Sequence, residues 1–339
     1  MSIRNWPGGI IRPVAVAPAG PYQDGAAKGV WTLDQQAFWQ KQGLWPIAGN
    51  VLSRALFAGG VVTSRISSIS YITITSTGNA TSFGNLSQAV NYCSACGSST
   101  RGLFAGGESP TVFLNVIEYV TFSTTGNATD FGDLLTAQLY LASCNSTTRG
   151  VFGGGNASSN VIQYVTIATA GNAIDFGDLT VGSTEPASFS SSTRGVFAGG
   201  NRGNVIDYIT IATAGNATDF GDLTVSMSST KGCSSSTRGL IGSGSVGGTQ
   251  TNIIEYITIS TTGNSIDFGD LTVARTNSSA SSGLTRGVWG GGYSLSLTIN
   301  YNIIDYVTIA TTGNATDFGD LISEIRTLAS CSSSNGGVQ

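Results

Sequence analysis

The sequence contains no histidine. That removes the commonest general base near neutral pH, the Ser-His-Asp and Cys-His arrangements, and the commonest metal ligand. Charge is scarce as well: charged residues make up 10% of the 339, with 15 Lys and Arg against 19 Asp and Glu. No basic patch stands out to neutralise phosphates, so nucleic acid is not an expected partner. No apolar run approaches the roughly 18 residues of a spanning helix, so membrane insertion is not expected either. The N-terminus lacks the apolar stretch of an ordinary secretory signal. What is abundant is glycine, with 47 residues, and apolar side chains, at 40%. That much apolar content supports a sizeable core and argues against disorder.

The order behind the composition is a repeat of 44–48 residues. Arg-Gly-Val/Leu-Phe-x-Gly-Gly recurs with its arginine at Arg54, Arg101, Arg149, Arg194, Arg238 and Arg286. The first copy drifts to Arg-Ala-Leu-Phe and the fifth to Arg-Gly-Leu-Ile-Gly-Ser-Gly. An apolar phrase such as Asn204-Val-Ile-Asp-Tyr-Ile-Thr-Ile follows, with Tyr71, Tyr119, Tyr164, Tyr208, Tyr256 and Tyr306 at its centre. Next comes Gly-Asn-Ala-Thr-Asp-Phe-Gly-Asp-Leu or a variant, and then a Ser/Thr-rich run leads to the next arginine. β-Branched and aromatic residues separated by Gly, Asn and Asp read as four short strands per repeat. Nearly continuous apolar runs suit strands covered on both faces. Gly-Asn is the expected hairpin between the third and fourth strands, where positive φ is needed. Four strands in about 45 residues is the signature of a propeller blade.

The predicted fold is therefore all-β, a six-bladed propeller over residues 51–339, preceded by an arm over residues 1–50. The first repeat starts at Arg54 without its Ser-rich strand, and the chain ends on an orphan copy, Leu328-Ala-Ser-Cys-Ser-Ser-Ser, which matches Leu141-Ala-Ser-Cys-Asn-Ser-Thr. That C-terminal strand should complete the first blade and close the ring, leaving no free edge at the seam.

The double glycine ending the second strand, followed by an apolar strand with a central tyrosine, resembles kelch repeats over residues 54–339. Phe83, Phe131, Phe176, Phe220, Phe268 and Phe318 stand near the place where kelch repeats usually carry tryptophan. The near-identical Arg-Gly-Val-Phe-Ala-Gly-Gly and Ile-Asp-Tyr-Ile-Thr-Ile phrases also resemble repeat proteins of marine tailed bacteriophages, which are virion structural proteins. This resemblance implies a non-enzymatic tail- or fibre-associated protein of the virion, assembled in the host cytoplasm in multiple symmetric copies, with the propeller displayed to a host-surface receptor, glycan or protein. The alternative is a kelch-type interaction adaptor or carbohydrate-active enzyme outside a virion. Copper-radical oxidases on such folds use histidine ligands, which are absent here.

The arm holds four of the five tryptophans and five of the seven prolines. Thr32-Leu-Asp-Gln35 fits a capping box and Gly43 a helix C-cap, which predicts one small helix from about Leu33 to Gln42. A segment this short cannot bury Trp6, Trp31, Phe38, Trp39 and Trp45 by itself. These rings must pack on the propeller, on another copy or on a partner. The resemblance of Gly29-Val-Trp-Thr-Leu to N-terminal segments of phage tail proteins favours anchoring to other virion proteins.

Three patterns bear on chemistry. Asp-Phe-Gly-Asp recurs in five repeats, and its aspartates are expected near the repeat arginines. The expected result is a structural layer of Arg101, Arg149, Arg194, Arg238 and Arg286 with Asp133, Asp178, Asp222, Asp270 and Asp320. Two carboxylates per blade fall short of a calcium shell, so no metal or cofactor is expected. Cys96, Cys144, Cys233 and Cys331 share one repeat position, where blades stand too far apart for a disulfide. With Cys93 they read as small buried hydrophobes, despite the Cys-x-x-Cys spacing at Cys93 and Cys96. Finally, each tyrosine stands 30 residues before the next arginine register, whereas the distance from the second glycine to the tyrosine varies from 8 to 14. All length variation therefore lies between the second and third strands, which places it on one face. The expected binding rim is 61–70, 108–118, 156–163, 201–207, 245–255 and 293–305, with Arg65, Phe113, Arg202, Tyr293 and Tyr301 as its contact residues.

Overall fold

The computed structural model describes residues 53–334. The arm, its predicted helix and its aromatic residues Trp6, Trp31, Phe38, Trp39 and Trp45 lie outside the described residues. Among the described residues, no helix is long and apolar enough to cross a membrane.

The described chain is a six-bladed β-propeller, each blade a four-stranded antiparallel sheet. Blade 2 shows the plan, with strands Ser94–Gly97, Arg101–Ala105, Val116–Thr121 and Thr129–Asp133 running from the axis outward. These are the four phrases of the repeat in order. The first blade is composite. Arg54–Ala58, Ser68–Thr73 and Thr81–Asn85 supply three strands, and Ala329–Ser332 supplies the innermost, pairing Ala55 with Ser332 and Ala58 with Ala329. The seam is thus closed inside a blade, by the strand that the sequence leaves over.

Packing lies between blades. One core cluster joins Cys96, Leu103, Ile117 and Phe131 of blade 2 to Phe152, Val165 and Ile167 of blade 3. Burying each large apolar side chain in such a layer contributes about 1.5–3 kcal/mol. The strands bury both faces because a blade is sandwiched by its neighbours, which is why their sequences do not alternate.

The two sheet edges of every blade are also covered. At the axis, serine hydroxyls of the innermost strands donate to carbonyls of the strand before. Ser190 bonds to Asn145 (2.8 Å), Ser234 to Ser190 (2.8 Å), Ser282 to Ser234 (2.7 Å) and Ser332 to Ser282 (2.5 Å). The Ser-rich run is therefore a crowded inner edge that needs small side chains carrying a donor. At the perimeter, the Gly-Asn-Ala segment of each blade lies along the fourth strand of the previous one. Gly126 N donates to Phe83 O (2.9 Å) and Ala128 N to Asn85 O (2.8 Å); at the seam, Gly78 N donates to Phe318 O and Ala80 N to Asp320 O. This corrects the expected hairpin. The chain turns earlier, where Thr124 N bonds Thr121 O, and none of these asparagines has positive φ. Gly-Asn serves the neighbouring blade's edge instead.

Candidate functional site

The propeller has two unlike ends. One carries the tight turns between first and second strands and the uniform connections between third and fourth. The other, the loop face, carries the connections from second to third strand and from fourth strand to the next blade.

At the turn face the structure does not pair the repeat arginines with the aspartates. Arg101 stands opposite Thr121, at the end of the third strand, whereas Asp133 stands opposite Val116, at its beginning. Asp-Phe-Gly-Asp is itself the fourth strand, so it carries its last aspartate to the far end of the blade. The arginine instead lies over the tyrosine of its own blade, as Arg101 does over Tyr119 at 4.7 Å, and the tyrosine meets the phenylalanine edge-on, as with Phe131 at 6.0 Å. The guanidinium then donates to a carbonyl of the next blade: Arg149 to Ile211 (2.9 Å), Arg194 to Ile259 (2.9 Å) and, across the seam, Arg286 to Ile74 (3.2 Å). All six blades repeat this stack, so the turn face is scaffold.

The loop face is where blades differ. Arg65 pairs with Glu108 and donates to Asn91 Oδ1, linking the connections of blades 1 and 2. Phe113 is exposed in the blade 2 connection. Tyr293 has one ring face covered by Arg326 at 4.4 Å. Arg202 does not belong with them. Its side chain is 0% exposed, pairs with Asp207 and donates to Phe197 O at 2.7 Å. A cation taken out of water in this way holds the loop in place and meets no partner.

The residues brought together are those of blades 5 and 6. Their connections form two small hairpins, Ser245–Val246 with Thr249–Gln250, and Tyr293–Ser294 with Ile299–Asn300. Gln250 joins them, with Oε1 accepting from Leu295 N and Ser296 N and Nε2 donating to Ala274 O. Between the hairpins opens a cleft of ≈ 530 Å³ lined by Val273, Leu295, Leu297 and Tyr301 with Thr249 and Gln250. Leu295, Leu297 and Ile299 are exposed. Side chains that could grip an extended apolar segment thus stand beside backbone and amide groups that could bond to it.

A second class of residues escaped the sequence analysis. The residue before each repeat tyrosine is polar in an otherwise apolar strand, and in five blades it is buried: Glu118, Gln163, Asp207, Glu255 and Asp305. Each reaches the previous blade just past its fourth strand. Gln163 accepts from Leu135 N (2.8 Å), Glu118 from Ser87 N (3.0 Å), Asp207 from Thr180 Oγ1 (2.6 Å) and Asp305 from Thr272 Oγ1 (2.6 Å); Glu255 takes the Thr224 hydroxyl. Asp305 also pairs with fully buried Arg275 at 2.9 Å. A polar residue at a fixed register within an apolar run was the signal that could have found them.

All five cysteines are free and buried. Burial pushes the Cys93 and Cys96 thiols up to about 12 and raises the other three. Cys93 and Cys96 are therefore neutral packing groups at neutral pH, poor as nucleophiles or ligands. Among the described residues, no cluster of three or more acidic or Cys side chains is placed to hold a metal.

No family model matches this chain, and comparison with characterised proteins finds no match. What is shown is the β-propeller, an architecture suited to protein interaction because it displays loops on a rigid ring.

Proposed function

We propose that the chain is a non-enzymatic virion structural protein, tail- or fibre-associated, whose loop face binds a protein on the host surface or in the particle. The observation that carries the binding role is the confinement of length variation to one end of the ring, with the two hairpins of blades 5 and 6 joined around an apolar cleft. An uneven rim with a few exposed anchors distinguishes partners, whereas six copies of one feature would not. The cleft fits an extended, uncharged, apolar segment, since Tyr301 is the only titratable side chain in its lining. The non-enzymatic reading rests on the sequence, which has no histidine. The virion assignment is supported by the resemblance of the repeat phrases and of Gly29-Val-Trp-Thr-Leu, and the arm is assigned to anchoring through Trp6, Trp31, Phe38, Trp39 and Trp45.

The test has two arms. Purified particles of the source virus should contain the chain stoichiometrically; its absence overturns the virion assignment. Shortening 293–302 to the length of the 201–204 connection, with Ile303, Ile304 and Asp305 kept, should leave folding intact, because loop length changes closure entropy little, and should abolish capture of the partner. Cross-links that place the partner wholly on the turn face overturn the loop-face reading.

A further inference from the structure

The turn face holds a second feature, independent of the cleft. Its six repeat arginines are spaced 44–48 residues apart along the chain, so no basic run marks them in the sequence. The ring gathers them at one end, one to each boundary between blades. None of the six has an ion pair among the described residues; the three salt bridges found there belong to Arg65, Arg202 and Arg275. The turns 98–100, 146–148, 191–193, 235–237 and 283–285 contain no Asp or Glu, and neither do the connections 74–80, 122–128, 167–173, 211–217, 259–265 and 309–315. The last aspartates of the fourth strands, Asp133 among them, lie at the loop-face end. One end of the propeller is therefore positive and without counter-charge.

Each guanidinium is held but not used up. It lies over its own tyrosine at 4.5–4.8 Å, and its NH1 donates to a carbonyl of the next blade. Its Nε and NH2 take no hydrogen-bond acceptor among the described residues, and none of them is a buried atom left without one, so they open to water. A cation fixed in this way loses little side-chain entropy when a ligand arrives. The exposed segments 75–79, 123–127, 168–172, 212–216, 260–264 and 310–314 around these cations carry only Gly, Ala, Ser, Thr and Asn. Leu284 is the only large apolar side chain exposed in the turns, and each repeat tyrosine has one ring face taken by its arginine.

That chemistry narrows the partner. A protein interface needs an apolar core, and single-stranded nucleic acid is held by rings on which bases stack; the turn face offers neither. Single cations repeated once per blade, set among hydroxyls and amides, suit a polymer that is itself repetitive, polar and sparsely charged. We propose that the turn face binds an anionic polysaccharide, whose carboxylate or sulfate groups meet Nε and NH2 of successive repeat arginines and whose hydroxyls bond to the Ser, Thr and Asn side chains between them. One such charge-assisted contact is weak at an exposed surface, but contacts in adjacent blades act together on one polymer chain. Six like copies, which give no power to tell one protein from another, are here the means of recognition.

The experiment is biolayer interferometry of the full chain over immobilised polygalacturonate, chondroitin sulfate and neutral dextran at pH 7, paired with melting curves. The first polymer carries carboxylates alone and the second sulfates as well; binding to either supports the site, and dextran should not bind. Affinity should fall about tenfold between 50 and 200 mM salt, as two or three engaged charges require. Removing arginines would also break the clamps, so the variant neutralises them in place. Thr147→Glu, Ser192→Glu and Ser236→Glu together set a carboxylate two residues before each of three arginines, at exposed positions. This variant should keep its Tm and lose about tenfold or more in affinity, whereas Thr147→Lys, Ser192→Lys and Ser236→Lys together should tighten binding. If the glutamate variant melts early, the lysine variant decides, and affinity no higher than that of the wild type overturns the site. No binding to either anionic polymer, undiminished binding by the glutamate variant, or tighter binding to single-stranded DNA than to both polymers also overturns it.

Discussion

Replacing Gly287 by alanine tests how closely the blades fit. Gly287 follows the repeat arginine of blade 6, and a methyl group there would meet Cys233 Sγ, from the innermost strand of blade 5, at 2.6 Å. Ordinary contact begins near 3.5 Å, so the two strands would have to part by about 1 Å. Overpacking of a dense core costs about 1–3 kcal/mol. The same contact recurs around the ring, with Gly102 against Cys331 at 2.9 Å and Gly150 against Cys96 at 2.8 Å. The equivalent positions between blades 6 and 1 are Ser281 and Ala55: where the glycine is lost, the sulfur is lost too. Removing the sulfur should therefore rescue the methyl. Cys233→Ala is the better partner, because Ser281 Oγ has no hydrogen-bond partner. Cys233→Ala alone should lose about 1 kcal/mol to the small void it leaves. The double variant should be more stable than Gly287→Ala, with a coupling of about 1–2 kcal/mol in a double-mutant cycle. Urea unfolding reads this directly, and a melting temperature follows at about 2 °C per kcal/mol for a domain of this size. A Gly287→Ala protein within about 0.5 kcal/mol of wild type, or strictly additive effects, would refute the contact as the reason for the Arg-Gly phrase.

Deleting 328–339 should destabilise strongly, because it bares the Arg54–Ala58 edge and loses the burial of Leu328 and Cys331, which together contribute about 3 kcal/mol; an unchanged melting temperature would show that the seam does not hold the ring. Arg202→Met leaves the buried Asp207 carboxylate without its counter-charge, held only by Thr180, so it should cost about 3–5 kcal/mol in unfolding assays without changing affinity at the cleft. The native protein should be inert to thiol reagents at pH 8 and yield five thiols when unfolded. Its thiols have raised folded pKa values, so their contribution to stability is complete below the unfolded value near 9 and is lost as pH rises from there toward 12. With no histidine to titrate, melting temperature should be flat from pH 6 to 8; a slope there would contradict the argument.

The fold was legible because each blade repeats every strand phrase, and the leftover Leu328-Ala-Ser-Cys copy showed how the ring closes. Pairing across blades was not legible. Arg101 and Asp133 look adjacent if Asp-Phe-Gly-Asp is a turn, and only its being a strand of five residues separates them. Arg202 broke the repeat and looked like a rim contact; sequence could not show that Asp207, five residues on, draws it inward. The connections 245–255 and 293–305 were expected on the variable rim, but the cleft between them was not legible, because its closing contact, Gln250 to Leu295, joins residues of two repeats.

Why variation gathers between the second and third strands follows from the other connection on the same face. Each path from a fourth strand to the next blade ends at a residue held in left-handed backbone, whatever its side chain: Tyr92, Tyr140, Glu185, Ser229, Asn277 and Thr327, with φ of 51–65°. Bulky and β-branched residues rarely adopt that conformation, so the surroundings must impose it. They do so for five of the six through a collar about the axis, in which Thr327 N donates to Asn277 O (2.8 Å), Tyr92 N to Thr327 O (3.0 Å), Tyr140 N to Tyr92 O (3.3 Å) and Glu185 N to Tyr140 O (3.0 Å), while Ser229 is tied to Glu185 by its hydroxyl. A connection bonded to its neighbour at a fixed point near the axis cannot lengthen without breaking the ring. The turn face is held likewise by the six arginine clamps. Only the path from second to third strand is free at its middle, once the double glycine, with φ of 64° and 95° at Gly106 and Gly107, has turned it out of the sheet. The ring that makes the blades alike therefore dictates where they can differ, and places the freest segments, the hairpins of blades 5 and 6, side by side around the cleft.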